Sequence, residues 1–228
     1  MYRTVTFSRC VALWLLTLTS GALAEQGVSA RDDASLQALR TYLDGLSTLR
    51  AEFRQAVISR DLEHLEDTRG RVTLKKPGRF RWDYLEPFER VISADGERVW
   101  LYEADLEQVT IRRLDTGIGA TPAALLTGAT EVLDHFALTD TRTEGEVRWL
   151  RLAPRAPESD FASIDLGFAY DEGDDEADDE IVQIFLTDRL GQQTRIYLSD
   201  IERGARIDDA FFRFEVPDGA DVIDEGDL

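Results

Sequence analysis

The chain has 228 residues, with 45 acidic side chains against 26 basic ones, and its formal net charge is −19. This acidity argues against a nucleic-acid-binding protein and against adhesion to anionic membrane surfaces. The single cysteine, Cys10, precedes most of an apolar run near the N-terminus. If that leader is removed, the remaining chain can form no disulfide and perform no thiolate chemistry.

Residues 1–24 have the pattern of a secretory signal peptide. A basic start and a short apolar run are followed by Ala22-Leu23-Ala24, a small-residue cleavage signal. The sequence therefore predicts cleavage before Glu25, export to the periplasm of a bacterium, and a single domain over residues 25–228. The alternative of an uncleaved membrane anchor is disfavoured because the apolar run is shorter than a bilayer span.

An amphipathic helix is predicted over residues 33–49. Spacings of three and four place four leucines on one face of this helix, namely Leu36, Leu39, Leu43 and Leu46. Two interpretations of this stripe stay open. It packs permanently on the core, or it covers a surface from which it can be removed.

Six strands are predicted over residues 51–113, joined mostly by short turns as in an antiparallel meander. The third strand carries Phe80, Trp82 and Tyr84 at alternate positions. Alternate residues of a strand share a face, so the three rings lie side by side. Three large rings in a row must be buried or must meet a ligand.

The second half of the chain adds two short helical segments and further strands. Helices are predicted over 121–126, where proline takes the first helical position, and over 131–135. Strands are predicted at 147–152, 163–170, 181–186, 194–198 and 211–216. Asp171–Glu180 is acidic except at Gly173 and Ala177, which indicates a solvated loop or a weak calcium site.

About ten or eleven strands in one domain favour a sheet that curls on itself. We therefore expect a mainly β (α+β) fold, an incomplete, open antiparallel β-barrel covered by a lid of short helices. An apolar interior would lie between the sheet and the lid. Whether this interior is fully packed or forms a cavity stays open from the residues alone.

Several motifs, in their order and spacing, resemble those of the periplasmic outer-membrane lipoprotein carrier family (LolA-type). The resemblance covers essentially the whole chain beyond the leader. The motifs are Lys76–Tyr84, Ser93–Tyr102, Asp105–Thr110, Thr121-Pro122 with its leucines, Asp188-x-x-Gly191-Gln192-x-Thr194 and the ending Phe212–Gly219.

The resemblance implies a carrier that takes acylated lipoproteins from an inner-membrane ABC transporter and passes them to an outer-membrane receptor. We expect it to act as a monomer and without a cofactor or metal. The resemblance also implies an acyl-chain site with a sheet side and a lid side, although each leucine alone is equally typical of an ordinary core. The predicted sheet residues are Phe53, Phe80, Trp82, Tyr84 and Trp100, and the predicted lid residues are Leu43, Leu46, Leu125 and Leu126.

In this family a basic residue just before the proline of a strand turn holds the lid shut by hydrogen bonds to the lid backbone. Lys76 occupies that position here, where arginine is the familiar residue. A lysine has three donors on a flexible stem and lacks the planar fork of arginine. Lys76 is thus the predicted latch, either closing more loosely or assisted by Arg79. The alternative is a solvated turn lysine.

Enzyme functions find little support in the sequence. His64 and His135 are the only histidines and are far apart. Neither a nucleophile elbow nor a metal-ligand spacing is present.

Two other binding functions fit the same architecture. One is the outer-membrane receptor, which would need a lipid-bearing cysteine at its mature start. The other is a periplasmic lipid-binding or acyl-sensing protein that does not deliver lipoproteins.

Overall fold

The computed structural model describes residues 22–114, 126–127, 130–169 and 180–225. Within these ranges the chain forms one long α-helix, α1 (Ala22–Gly45), and twelve strands. The first six strands are β1 (Thr48–Ile58), β2 (His64–Lys75), β3 (Arg79–Glu86), β4 (Arg90–Asp95), β5 (Arg98–Glu103) and β6 (Gln108–Arg113). The others are β7 (Phe136–Glu144), β8 (Val147–Pro154), β9 (Phe161–Ala169), β10 (Ile181–Asp188), β11 (Gln193–Arg203) and β12 (Asp221–Asp224). Three 3₁₀ helices span Ala104–Leu106, Thr130–His135 and Asp209–Phe212.

All twelve strands belong to one sheet, in the order β12-β6-β5-β4-β3-β2-β1-β11-β10-β9-β8-β7. Neighbouring strands are antiparallel except for β12, which runs parallel to β6. The edge strands β7 and β12 are not hydrogen-bonded to each other, so the sheet remains open. The predicted mainly β, open antiparallel sheet is confirmed, with twelve strands in the described residues rather than ten or eleven.

Three predictions about strands were wrong. Strands β7 and β12 were not predicted, because β7 is an edge strand rich in polar residues and β12 has only four residues, all exposed. The strand predicted over 211–216 does not form. Phe212 and Phe214 alternate as in a strand, but Phe212 ends a 3₁₀ helix whose start is capped by the Asp208 side chain.

The helix is longer and begins earlier than the predicted span of 33–49. It starts at Ala22, ahead of the predicted cleavage site, and ends at Gly45. Leu46 therefore lies just after the helix, and its N–H donates to the carbonyl of Leu43 (3.2 Å). In the described residues this helix is the main cover of the sheet, and Leu126 joins the same core together with Leu133 of the 3₁₀ helix Thr130–His135. Residues 121–125 of the predicted helix 121–126 lie outside the described residues. No helix described here is long and apolar enough to cross a membrane.

One main core fills the space between α1 and one face of the sheet, which we call the inner face. Residues of this core come from the helix and from strands β1–β5 and β7–β11, with Leu46, Leu126 and Leu133 from the segments between them. The opposite, outer face of β5 and β6 has a second, smaller core. The inner face is thus the side on which the predicted acyl-chain site must be sought.

Candidate functional site: the aromatic inner face and its helical cover

The aromatic row of β3 lies on the inner face, as its alternation predicts. Phe80 and Trp82 are buried in the main core, and Tyr84 packs against it. The ring of Phe53 from β1 lies 5.3 Å from that of Trp82 and 5.1 Å from that of Tyr84, measured between centroids. Such distances are typical of favourable tilted and edge-to-face ring pairs. The structure thus places the four predicted aromatic residues of β1 and β3 in one cluster.

Gly70 explains how rings from β1 and β3 meet across the intervening strand β2. In the sheet it lies between Phe53 and Tyr84, its partners on either side. A Cβ atom at this position would lie 1.9 Å from the carbonyl oxygen of Asp83 and 2.8 Å from Cε1 of Phe53. Any side chain here would therefore separate the two rings. A glycine inside a predicted strand is the signal that could have identified this position.

Two polar atoms sit within the aromatic cluster. The Tyr84 hydroxyl donates to Oε1 of Gln55 (3.4 Å), and burial raises the pKa of Tyr84 to about 12. The indole Nε1 of Trp82 is buried and has no hydrogen-bond partner in the described part of the chain. Leaving a buried donor unpaired costs about 1–3 kcal/mol. The cluster is therefore apolar with one unsatisfied donor rather than uniformly hydrocarbon.

Leucines cover the aromatic rings from the helix side. Leu39 and Leu43 of α1, together with Leu46, belong to the same buried core as the aromatic residues. Leu126 is also a member of that core, whereas Leu125 lies outside the described residues. The structure thus unites three of the four predicted lid leucines with the rings, and it adds Leu39. In this closed form leucine side chains fill the space beneath the helix.

Lys76 ties the β2–β3 turn to the end of the helix. Its Nζ donates to the carbonyl of Leu43 (2.5 Å), and its backbone N–H donates to the carbonyl of Ser47 (2.9 Å). In the same turn the N–H of Gly78, whose φ is +64°, donates to the carbonyl of Thr127 (3.3 Å). The Leu43 carbonyl, at the helix end, therefore accepts from both the Leu46 N–H and the lysine.

The surroundings of Lys76 disfavour its charged form. Burial lowers the pKa of Lys76, and the nearby Asp44 carboxylate acts in the opposite direction. Arg79 does not join Lys76 at the helix. Its guanidinium donates to the carbonyl of Pro77 (3.3 Å) and lies 3.6 Å from a carboxylate oxygen of Asp209. The structure therefore assigns the contact with the helix backbone to Lys76 without help from Arg79.

Lys75, the residue before Lys76, ties the same turn to the C-terminal part of the chain on the outer face of the sheet. Its Nζ donates to the carbonyl of Ile207 (2.7 Å) and to the carboxylate of Asp209 (2.6 Å). The hydrogen bond from Lys75 lowers the pKa of Asp209. Alternation along a strand would have predicted that the two lysines point apart, but the sequence holds no sign of what Lys75 meets.

Trp100 corrects the predicted set of site residues. It pairs across the sheet with Ser93, and Ser93 pairs with Arg81, so Trp100 shares the outer face with these polar residues. There it belongs to the smaller core with Val109 and Ile111. The residue on the inner face of β5 is Val99, a member of the main core. Both faces of β5 carry large apolar residues, and for this reason the sequence did not indicate which one points inward.

The C-terminal segment, residues 205–225, covers this outer core. The Ser93 hydroxyl donates to the carbonyl of Phe212 (2.8 Å), and the ring of Phe214 lies 5.5 Å from that of Tyr102. Strand β12 then pairs with β6 through its backbone. The outer aromatic residues therefore belong to a permanent packing layer.

The histidines do not form a catalytic cluster with one another. His64 begins β2 and lies 2.9 Å from Asp67, while His135 precedes β7. In the sheet order, β1, β11, β10, β9 and β8 separate the two strands. Among the described residues no group of three or more His, Cys, Asp or Glu side chains is arranged to hold a metal ion. Asp171–Asp179 of the acidic run, including the predicted weak calcium site, lies outside the described residues.

Comparison with known proteins agrees with this arrangement. The family model described as "Outer membrane lipoprotein carrier protein LolA" matches residues 44–215, which is most of the chain. The chain belongs to this family. The match covers the inner-face aromatic residues, the β2–β3 turn with Lys76 and most of the strands, and it begins at the last residues of α1.

Individual relatives extend the match toward both ends. A protein named Outer-membrane lipoprotein carrier protein from Nitrosospira multiformis is 35% identical over 95% of this chain and 97% of its own length. The protein of the same name from Methylococcus capsulatus is 37% identical over 82% of this chain and 86% of its own. A solved structure of a LolA superfamily protein from Nitrosomonas europaea aligns with a TM-score of 0.49 at 12% identity, over 80% of this chain and 97% of the other.

Proposed function

We propose that this chain is a periplasmic carrier that binds the acyl chains of lipoproteins between the aromatic inner face and helix α1. The observation that carries the proposal is the apolar cluster beneath a helix that Lys76 holds at its end (Nζ to Leu43 carbonyl, 2.5 Å). Membership of the family and the names of the relatives support the same function. The residues proposed to meet the acyl chains are Phe53, Phe80, Trp82 and Tyr84 from the sheet and Leu43, Leu46 and Leu126 from the cover.

An acyl chain gains about 0.8 kcal/mol for each methylene that it buries, so its passage through water requires a protein surface that hides it. In the closed form the helix leucines occupy this surface themselves. An acyl chain therefore competes with Leu39, Leu43 and Leu46 for the same rings. This competition lowers the net affinity, and a lower affinity is what a carrier needs in order to release its cargo.

The Lys76 contact sets the balance between the open and closed forms. When the helix lifts, the hydrogen bond between the Lys76 ammonium and the Leu43 carbonyl breaks, and each group bonds to water instead. The pKa of Lys76 is lowered by burial, so part of its charge-assisted hydrogen bond is offset by lost hydration. In the proposed cycle this partial offset makes it easier for acyl chains to displace the latch.

The partners follow from this role. The carrier would receive acylated lipoproteins from an inner-membrane ABC transporter and pass them to an outer-membrane receptor. The N-terminal signal peptide, residues 1–24, would export it to the periplasm. Enzymatic activity has no place in this cycle, since binding and release require only the exchange of apolar contacts.

The proposal is tested by reconstituted transfer. Purified protein is added to inner-membrane vesicles that hold a triacylated lipoprotein, and the lipoprotein released and then delivered to purified receptor is measured. Mass spectrometry of the protein isolated from periplasm identifies the bound lipid. Triacylated lipoproteins support the carrier function, whereas free lipid alone would indicate the lipid-binding alternative.

The role of Lys76 is tested with one substitution and a matched control. Lys76→Leu should fold normally and accept lipoprotein, but deliver less of it, because the closed form no longer competes as well for the rings. Lys75→Leu is the matched control, since Lys75 contacts the C-terminal segment instead. Normal delivery by the Lys76 variant would contradict the latch.

A further inference from the structure

The exposed apolar side chains of this protein are concentrated at one end of the sheet. Ten large apolar residues of the described chain are exposed, and four of these lie in the C-terminal segment. The other six are between 46 and 80% exposed. We call these six the apolar rim: Leu62, Leu65, Leu85, Phe88, Leu106 and Leu190.

The topology places all six at the same end. Strands β1, β3, β5 and β10 finish there, and β2, β4, β6 and β11 start there, because each of these consecutive pairs is antiparallel. Leu65 is the second residue of β2, Leu85 is the second-last residue of β3, and the other four residues occupy the connecting turns. The opposite end, with Lys76 and its turn, has fewer exposed large apolar side chains among the described residues; Phe211, beside Arg81, is one of them.

The turns that carry the rim are neighbours in space. A Cβ atom at Gly191 would lie 3.1 Å from Cγ of Arg60, so the β10–β11 turn touches the β1–β2 turn. The N–H of Ala104 donates to the carbonyl of Glu89 (3.2 Å), which joins the β5–β6 turn to the β3–β4 turn. Because β2 and β3 pair side by side, the rim follows an uninterrupted set of strands from β6 to β10.

Single exposed leucines are common on protein surfaces, but a row of them at one end is typical of an interaction site. Turn tips rarely need leucine or phenylalanine for their backbone conformation. Leu62 even adopts a positive φ of 63°, a conformation that a leucine side chain disfavours. Folding alone therefore does not account for apolar side chains at these positions.

The charges around the rim distinguish between possible partners. The same turns and strand ends hold four exposed arginines, Arg60, Arg69, Arg90 and Arg189, and twice as many exposed carboxylates. An acidic surface is repelled by anionic lipid and by an identical copy of itself, whereas it attracts a basic protein surface. The exposed carboxylates are those of Asp61, Glu63, Glu66, Asp67, Glu86, Glu89, Asp105 and Glu107.

We propose that the apolar rim docks on a partner protein whose surface combines apolar pockets with surrounding basic side chains. The proposal rests on the proposed function in one respect, since it takes this partner to be one that exchanges lipoproteins with the carrier. The apolar tips fill the pockets of the partner, and the carboxylates meet its basic groups. Docking then happens at the end opposite to the Lys76 contact, which leaves the helix end free to lift.

The test uses a variant with Leu62→Ser, Phe88→Ser, Leu106→Ser and Leu190→Ser. These side chains are exposed, so folding should be unchanged, which circular dichroism and thermal unfolding verify. The matched control carries Phe211→Ser, an exposed apolar residue of the C-terminal segment that lies beside Arg81, toward the opposite end of the sheet. Affinity is measured for the purified receptor and for the periplasmic domain of the transporter, at low and high salt.

The rim variant should bind at least one of the two proteins about tenfold more weakly or worse, as expected when central apolar anchors are lost, while the control binds like the unaltered protein. Binding of the unaltered protein should also weaken as salt rises. Unchanged affinity of the rim variant for both proteins would overturn the proposal. So would rim-dependent binding to phosphatidylcholine vesicles, or rim-dependent dimerisation in sedimentation velocity.

Failure of this proposal is distinguishable from failure of the proposed function. Lipoprotein loading from detergent micelles, without the transporter, is measured in parallel for all three proteins. The rim variant should load normally in this assay because its substitutions lie outside the aromatic cluster. If the unaltered protein loads no lipoprotein, the carrier function fails whatever the rim does. If loading is normal and docking does not depend on the rim, only the rim proposal fails.

Discussion

The two faces of β3 are both covered, but by covers of different kinds. The inner face, with Phe80 and Trp82, lies under helix α1, which satisfies its backbone hydrogen bonds internally. The outer face lies under the C-terminal segment, whose last strand takes its backbone hydrogen bonds from β6. Lifting the helix breaks only side-chain contacts, whereas lifting the C-terminal strand also leaves backbone groups unpaired. In the proposed function, the inner cover is therefore the one expected to move.

Polar contacts also join the helix to the rest of the protein. Arg40 pairs with Asp134 (2.7 Å), the Tyr42 hydroxyl donates to Glu180 (3.3 Å), and Lys76 donates to the Leu43 carbonyl. These three are exposed or partly buried, so water can replace each partner if the helix moves. The bond from the Ile181 N–H to the Tyr42 hydroxyl (3.5 Å) is buried.

The largest effect is expected from removing an inner-face ring. Phe80→Ala should lower the free energy of unfolding by about 3–5 kcal/mol, because it deletes a buried aromatic side chain. Arg81→Ala, its neighbour on the outer face, should cost no more than about 1 kcal/mol, since it removes only a partly exposed ion pair and a ring contact. Urea unfolding of both variants measures the difference, and equal losses would contradict the assignment of faces.

A smaller but still clear effect is expected at Gly70. Gly70→Ala places a Cβ atom against the Asp83 carbonyl and the Phe53 ring, and should destabilise the protein by about 1–3 kcal/mol through overpacking. Gly45→Ala serves as the control, since a Cβ there meets nothing within 4 Å. Thermal unfolding compares the two. A Gly70 variant as stable as the control would mean that the Phe53 and Tyr84 rings do not contact each other across β2.

The two lysines provide a direct comparison between the covers. Lys76→Leu should accelerate hydrogen exchange of the amides in residues 36–45 about fivefold, corresponding to about 1 kcal/mol for one lost hydrogen bond. Lys75→Leu should instead accelerate exchange in the C-terminal segment and leave the helix unchanged. Mass spectrometry of exchanged peptides separates the two. If both variants affected both segments equally, the covers would not be independent.

The smallest expected effect is a dependence on alkaline pH. Burial raises the folded-state pKa of Tyr84 to about 12, above its ordinary value of 10.0. The unfolded chain therefore loses this proton first, and stability falls as the pH rises from about 10 towards 12. Tyr84→Phe should show a shallower decline in the urea midpoint between pH 9 and 11. An unchanged slope would mean that the hydroxyl is hydrated in the folded state.

The inner face was largely predictable from sequence because its signal is local. The alternation of Phe80, Trp82 and Tyr84 fixes their common side, and the spacing of Leu39 and Leu43 fixes the face of the helix. The outer cover was not predictable in this way. Trp100 was assigned to the wrong face because both faces of β5 are apolar, and the segment that covers it comes from more than a hundred residues later.

The sequence indicated each turn, but not which turns lie beside one another in the folded protein. Only the strand order shows that Leu62, Leu106 and Leu190 lie at one end of the molecule. Long-range pairing such as that between β1 and β11 has no local signature in a single sequence. The same reason explains why Lys75 was not linked to Asp209.

Photo-crosslinking tests most directly whether acyl chains occupy the inner face. The photoreactive residue p-benzoylphenylalanine replaces Tyr84 in one variant and Trp100 in another, and each is illuminated in the presence of a triacylated lipoprotein. The account predicts an adduct through the acyl chains at position 84 and none at position 100. An adduct at position 100 alone, or equal adducts at both, would contradict a site between the aromatic inner face and helix α1.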